Sequence, residues 1–253
     1  MRTPELTDVF ISVLLVLISL GVSRWWRIPV AKDISLGSVR AFVQLVAVGY
    51  ALKFIFDIES PWLILLAFLV MITVGAQAAT GRVKKVSGSF PIAFISMITG
   101  SFFTLAVMLA LDIITLEARF IIPLGGMIIG NSMNATALAI DRLASDIDNN
   151  RLAIETSLSL GKNWRTASAR FQRQAATAGM ISILNSMKTL GIVALPGAMT
   201  GMILAGAEPL DAVFLQIIVV YMLLSAVTIT SVVAIELTIR KFFTRCHQLK
   251  HTA

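Results

Sequence analysis

Cysteine and histidine are almost missing from this 253-residue chain. The single cysteine, Cys246, and both histidines, His247 and His251, fall in the last eight residues. An internal disulfide is therefore excluded, and so is a His/Cys metal cage in the body of the chain. There is no G-x-x-x-x-G-K-[ST] phosphate loop, so the chain cannot bind ATP in that way. H-E-x-x-H and the G-x-S-x-G nucleophile elbow are absent too, which leaves no catalytic set for a membrane-embedded enzyme. No internal repeat, low-complexity tract or soluble domain is visible.

What the chain has is apolar residues in long blocks. They make up 57% of it, and the mean hydropathy is +0.86. An ordinary soluble domain holds about 45–50% apolar residues even with glycine counted. The blocks run to about 20 residues, the length that crosses a hydrocarbon core of roughly 30 Å. The composition predicts an all-α, polytopic membrane protein. Seven spans can be drawn, at about 6–23, 35–56, 61–80, 90–111, 120–140, 187–207 and 212–239. Glu5 and Asp8 precede the first apolar run and Arg24 and Arg27 follow it. That charge order is opposite to a cleavable signal, so a retained span is expected.

The net charge of +7 fits topology signals better than nucleic-acid binding. With the N-terminus outside, sixteen basic residues sort inward: Arg24, Arg27, Lys32, Arg82, Lys84, Lys85, Arg142, Arg151, Lys162, Arg165, Arg170, Arg173, Arg240, Lys241, Arg245 and Lys250. Only three, Arg2, Lys53 and Arg119, sort outward, while Arg40 and Lys188 lie in or near spans. The outer connectors are acidic: Asp57 and Glu59, Asp112 and Glu117, Glu208 and Asp211. This asymmetry predicts an outer N-terminus, a cytoplasmic C-terminus and a multi-pass protein of the inner (plasma) membrane. Residues 1–253 form a single permease-like domain in which one inner connector, about 141–186, is long. Asp146, Asp148, Asn149 and Asn150 suggest a turn there. Helix-forming sequence follows up to Gly161, and a second helical run starts near Asn163.

Several spans carry polar groups. In "GGMIIGNSMNATALAIDRL", residues 125–143, helical spacing puts Gly126, Met127, Gly130, Asn131, Asn134, Ala137 and Asp141 on one face. Gly126 and Gly130 make a small-xxx-small pair that suits close helix approach. An unpartnered amide in hydrocarbon costs several kcal/mol. Asn131 and Asn134 must therefore face protein or water, either as interhelical glue or as the lining of a substrate path. Ser132 and Thr136, on the other side, can bond back to their own helix.

In the second span Arg40 and Gln44 share a face. Arg40 can snorkel to headgroups or pair with an acid, Asp141 and Glu236 being the inner-side candidates. Pro196 and Gly197 predict a kink or break in the sixth span. Met127, Met133, Met199 and Met202 can ligate soft metals or simply fill gaps. No metal site is evident.

"GSVRAFVQL", "PLGGMIIGNSMNATALAIDRL" and "KTLGIVALPGAMTGMILAGAEPL" resemble the small ABC-transporter permeases of the FetB type. These are assigned to iron export and are related to plant aluminium-tolerance permeases. The similarity runs over nearly the whole chain. It implies a permease paired with a separate cytoplasmic ATPase of the FetA type, two copies of each per transporter. ATP and Mg would sit on the ATPase and none on this chain. The implied role is metal efflux and resistance to oxidative stress.

"ETSLSLG" places Glu155 six residues before Gly161, the spacing of the E-A-A-x-x-x-G loop by which bacterial ABC permeases dock their ATPase. Thr156 and Ser157 replace its alanines. Leu152, Ile154, Leu158, Leu160 and Trp164 would give apolar anchors, with Trp164 as a hot spot. Gly161 would permit a turn that a side chain would crowd. The same segment can instead lie on anionic headgroups. A secondary transporter or channel acting alone is the competing class, and it usually carries buried carboxylates mid-span, which are absent here.

Overall fold

A computed structural model describes residues 6–58, 60–83, 85–244 and 247–250. Arg2, Glu5, Glu59, Lys84, Arg245, Cys246 and His251, and the side chain of Asp57, lie outside the described residues. Helices account for most of the described chain, in two units: residues 1–59 and 60–253.

The first unit is a hairpin of α1 (Leu6–Trp25) and α2 (Ala31–Ile58). Its turn is short because Arg27 adopts a left-handed φ of 52° and Ser23 Oγ donates to the Ile28 carbonyl at 3.2 Å. Phe10, Ile11, Leu15, Leu36 and Leu45 stand exposed around it. Apolar surface of that extent belongs against lipid or another protein.

The second unit holds α3 (Pro61–Arg82), α4 (Phe90–Ala110), α5 (Ala118–Asn149), α6 (Arg151–Ser159), α7 (Trp164–Thr189), α8 (Gly197–Leu204) and α9 (Pro209–Phe242). Pro61, Pro91 and Pro209 fall in first turns, where a missing N–H costs nothing. Asn163 caps α7, its Oδ1 accepting from the Thr166 N–H at 2.8 Å. The central helix is α5, which packs against α3, α4, α7 and α9. It continues past the expected end of its span because Ile140, Leu143, Ala144 and Ile147 repeat at helical spacing and are buried. The expected turn at 146–150 thus narrows to Asn150, and Asp146 is helical, accepting from Arg142 Nε at 2.9 Å.

Six helices (α1, α2, α3, α4, α5 and α9) are long and apolar enough to cross a membrane. The expected span at 187–207 is not one helix. Its chain breaks between Thr189 and Gly197, with Gly191 at φ 80° and Pro196 capping α8. Alongside α9, the place of a further span is taken by α7, which is not itself among the long apolar helices. At one end of α9, Trp164 stacks on Phe243 with ring centroids 5.7 Å apart. Near the other end, Met187 and Leu190 meet Val213, Ile217 and Tyr221 around a cavity of about 440 Å³. The two helices therefore run antiparallel over the same span. The 26 residues of α7 reach about 39 Å, enough for the core. With α7 and α8 as one broken pass the chain has about seven.

Basic side chains gather at one end of this unit. Lys241 Nζ donates to the carbonyls of Ser87 and Gly88 at 2.8 and 2.7 Å, tying α9 to the α3–α4 loop. Lys85 donates to Ser145 at 3.2 Å and lies 3.8 Å from Asp148. Glu236 is held by Arg240 at 2.7 Å and Arg165 at 3.8 Å.

Of the pair expected on α5, Gly126 is close to a neighbouring helix, an added Cβ standing 3.3 Å from Met71 Cε, and Gly130 is not. Gly125, not Gly130, is pressed against the Phe68 ring, and a methyl on Gly130 would meet nothing within 4 Å. The α8 glycines Gly197 and Gly201 likewise face open space.

Candidate functional site

Halfway along α5, the helix parts from α7 and α9 to leave a cleft of about 250 Å³. Asn131, Asn134, Ala135 and Leu138 line it from α5, Gly179, Ser182 and Ile183 from α7, and Val227 from α9. Both amides singled out in the sequence thus open into the same space. Asn131 is half-buried and donates from Nδ2 to the Met127 carbonyl at 2.9 Å, which leaves its Oδ1 for the cleft. Asn134 is exposed, and its Oδ1 accepts from Arg82 Nη1 at 2.9 Å, a bond from the last turn of α3. The opposite wall stands close because Ala175, Gly179 and Ile183 are buried. A side chain at Gly179 would run into Ser231 and the Ala135 carbonyl.

Gly179 and Ser182 fall inside 141–186, expected to be wholly cytoplasmic. The C-terminal half of that stretch instead packs between α5 and α9, so the projecting part is shorter. Arg82 does not itself line the cleft but is bonded to Asn134, which does, and nothing in local sequence marks that pairing across 52 positions.

The other side of α5 also differs from expectation. Ser132 does not bond back along its helix; it pairs with Thr230 of α9 at 3.3 Å, fully buried. Thr136 Oγ1 is buried without a protein partner. The reason is that this face looks into the α4–α9 contact rather than to lipid, as the burial of Ser96, Ser101 and Thr104 on α4 also shows.

The methionines divide. Met127 and Met133 are half-buried on α5, whereas Met199 and Met202 lie on α8, which packs against α9. Met199 joins Met187 in the larger cavity, beside Pro196 and the nine-tenths-buried Gln216, and no α5 residue lines that space. Among the described residues no group of three or more His, Cys, Asp or Glu could hold a metal ion. Arg40 and Gln44 belong to α2 of the first unit, exposed and one turn apart.

In chain order α6 comes between α5 and α7. Ile154 is 1% exposed and pins it to the bundle. Trp164, expected as a free anchor, is half-buried on Phe243, with the Arg165 guanidinium 5.3 Å from its ring. Outward face Leu152 and Leu160, at 79% and 76% exposure, with Leu158 half-buried. Glu155 is paired with Arg151 Nε at 2.9 Å. Gly161 has φ 81°, yet an added Cβ would meet nothing within 4 Å. Its glycine is required by the left-handed backbone and not by crowding.

This bundle, apolar outside and opened within by an amide-lined cleft, defines a polytopic α-helical membrane protein. The chain belongs to the family described as "Uncharacterised protein family (UPF0014)", whose model matches residues 6–243. It is 40% identical over 240 residues to "UPF0014 membrane protein YjkA" of Bacillus subtilis, covering 95% of this chain and 96% of that one. Identity to "Probable iron export permease protein FetB" of Escherichia coli is 36% over 239 residues, 94% and 92% of the two chains. "UPF0014 membrane protein STAR2" of rice is 38% identical over 234 residues, 92% and 82% of the two. No solved structure matches.

Proposed function

We propose that this chain is the membrane permease of an ABC transporter that exports iron or another metal across the plasma (inner) membrane. The basic end is cytoplasmic, as the charge asymmetry favours. The permease works as a homodimer with two copies of a FetA-like ATPase. ATP and Mg are bound by that ATPase, and this chain contributes no catalytic residue. Similarity to a protein named as an iron export permease supports the cargo, and the lack of a phosphate loop fits a division of labour.

One observation carries the mechanism. Two of the three helices that wall the cleft, α5 and α7, are the two that α6 joins. Only Asn150 separates α5 from α6, and α6 is anchored by Ile154. A displacement of α6 by a docked ATPase therefore moves both of these walls. Leu152, Leu158 and Leu160 offer the apolar contact, Glu155 the charge, and Gly161 the turn. The cleft then alternates between access from either side, with different affinity in each state.

The test is a doubly altered chain, Glu155→Lys with Gly161→Leu, expressed with its ATPase. The expected result is normal membrane insertion with loss of ATPase co-purification and of transport. Normal capture and transport would place the contact elsewhere, for example at residues 82–89.

A further inference from the structure

We infer that cargo enters the cleft as an anionic, oxygen-rich species, a free anion or a metal held in an anionic chelate, selected by Arg82 and Asn134. This rests on the cleft being the transport path. Arg82 sits beside the cleft, bonded to the lining residue Asn134. Of the five N–H groups of a guanidinium, one bond from Arg82 is taken, by Asn134 Oδ1. That bond uses the Asn134 oxygen and leaves its NH₂ group without a partner among the described residues. No carboxylate lies within ion-pair distance of Arg82 among the described residues.

Three acids of this end are engaged elsewhere, Asp146 by Arg142, Asp148 by Lys85, and Glu236 by Arg240 and Arg165, which leaves Asp141. Asp141 stands two turns beyond Asn134, roughly 10 Å along the axis. A bare divalent cation would meet a positive charge without an ion-pair partner beside Asn134, and only neutral oxygens in the cleft lining, from Asn131, Asn134 and Ser182. A carboxylate or phosphate would meet a planar fork of N–H donors, the geometry in which arginine binds such groups best.

The experiment uses the full chain purified in detergent. Its thermal unfolding midpoint is measured with citrate, ferric citrate, or ferrous chloride under argon, against choline chloride at matched ionic strength. A ligand bound to the folded state raises the midpoint. A rise with citrate alone identifies a free anion; a rise with ferric citrate only identifies a chelate. Arg82→Gln should abolish the rise and Arg82→Lys should keep part of it. Asn134→Asp, which neutralises the guanidinium without removing it, should abolish it too, so a failure of Arg82→Gln to fold leaves the test intact. The inference is overturned if ferrous ion raises the midpoint and the anions do not, if neither anion does, or if Arg82→Gln and Asn134→Asp retain the rise. The readout needs no ATPase. Loss of the ABC reading would show separately, as a chain that responds to the anion but captures no ATPase.

Discussion

Gly179 of α7 lies against Ala135 of α5. A methyl group on Gly179 would stand 3.0 Å from the Ala135 carbonyl oxygen and 2.7 Å from Ser231 Oγ. This approach narrows the cleft on one side and fixes how α7 crosses the bundle. Gly179→Ala gains up to about 1 kcal/mol of helix propensity, but overpacking costs about 1–3 kcal/mol. The expected net effect is a lower unfolding midpoint. Gly130→Ala, where the methyl meets nothing within 4 Å, should raise it. Thermal unfolding of the two variants in detergent checks the contrast, and equal effects would contradict the packing.

Gly161 separates strain from crowding. Any L-residue at φ 81° is strained, while the space around it is open. Gly161→Ala and Gly161→Leu should therefore be destabilised alike, by about 1–2 kcal/mol. Asn, which tolerates left-handed backbone, should cost less. A Leu variant much worse than Ala would point to a steric role.

Lys241 holds the α3–α4 loop through two carbonyl bonds. Lys241→Met should cost about 1–3 kcal/mol, the range for charge-assisted bonds discounted for exposure. The loss should be local. Hydrogen exchange at residues 85–89 should quicken while that in α4 stays unchanged.

Long apolar runs made six of the crossing helices legible in the sequence, because about 20 such residues have few other uses. The packing of α7 between α5 and α9 was not. Its buried face is built from Ala175 and Gly179, and its other face carries Arg170, Arg173, Gln174 and Asn185, so its mean character is polar. The apolar stretch around Ile192, Val193 and Leu195 suggested a span there, but those residues stand exposed in the turn beside Pro196. Asn131 and Asn134 were legible as amides that needed company. Their company was not, since Arg82, Gly179 and Ser182 come from distant turns of chain. On α6, hydrophobicity marked Ile154 and Leu152 equally, and only the fold shows that one is buried and the other free.

Single-cysteine labelling in a Cys246→Ser background tests the crossing of α7. Arg173→Cys and Lys188→Cys lie about 22 Å apart along the helix. An impermeant reagent should reach position 173 from the cytoplasmic side and position 188 from outside. Labelling of both from one side would contradict a transmembrane α7.

The cleft between α5, α7 and α9 is either a path or mere packing, and transport separates the two. The most direct measurement is iron transport into inside-out vesicles by Asn134→Leu and Ser182→Leu, each reconstituted with its ATPase at matched amounts. If the cleft is the path, transport should fall by tenfold or more, roughly 1.4 kcal/mol or above. The unfolding midpoint should change little, since interhelical bonds in membranes average only about 0.6 kcal/mol. Normal transport with a modest loss of stability would contradict it.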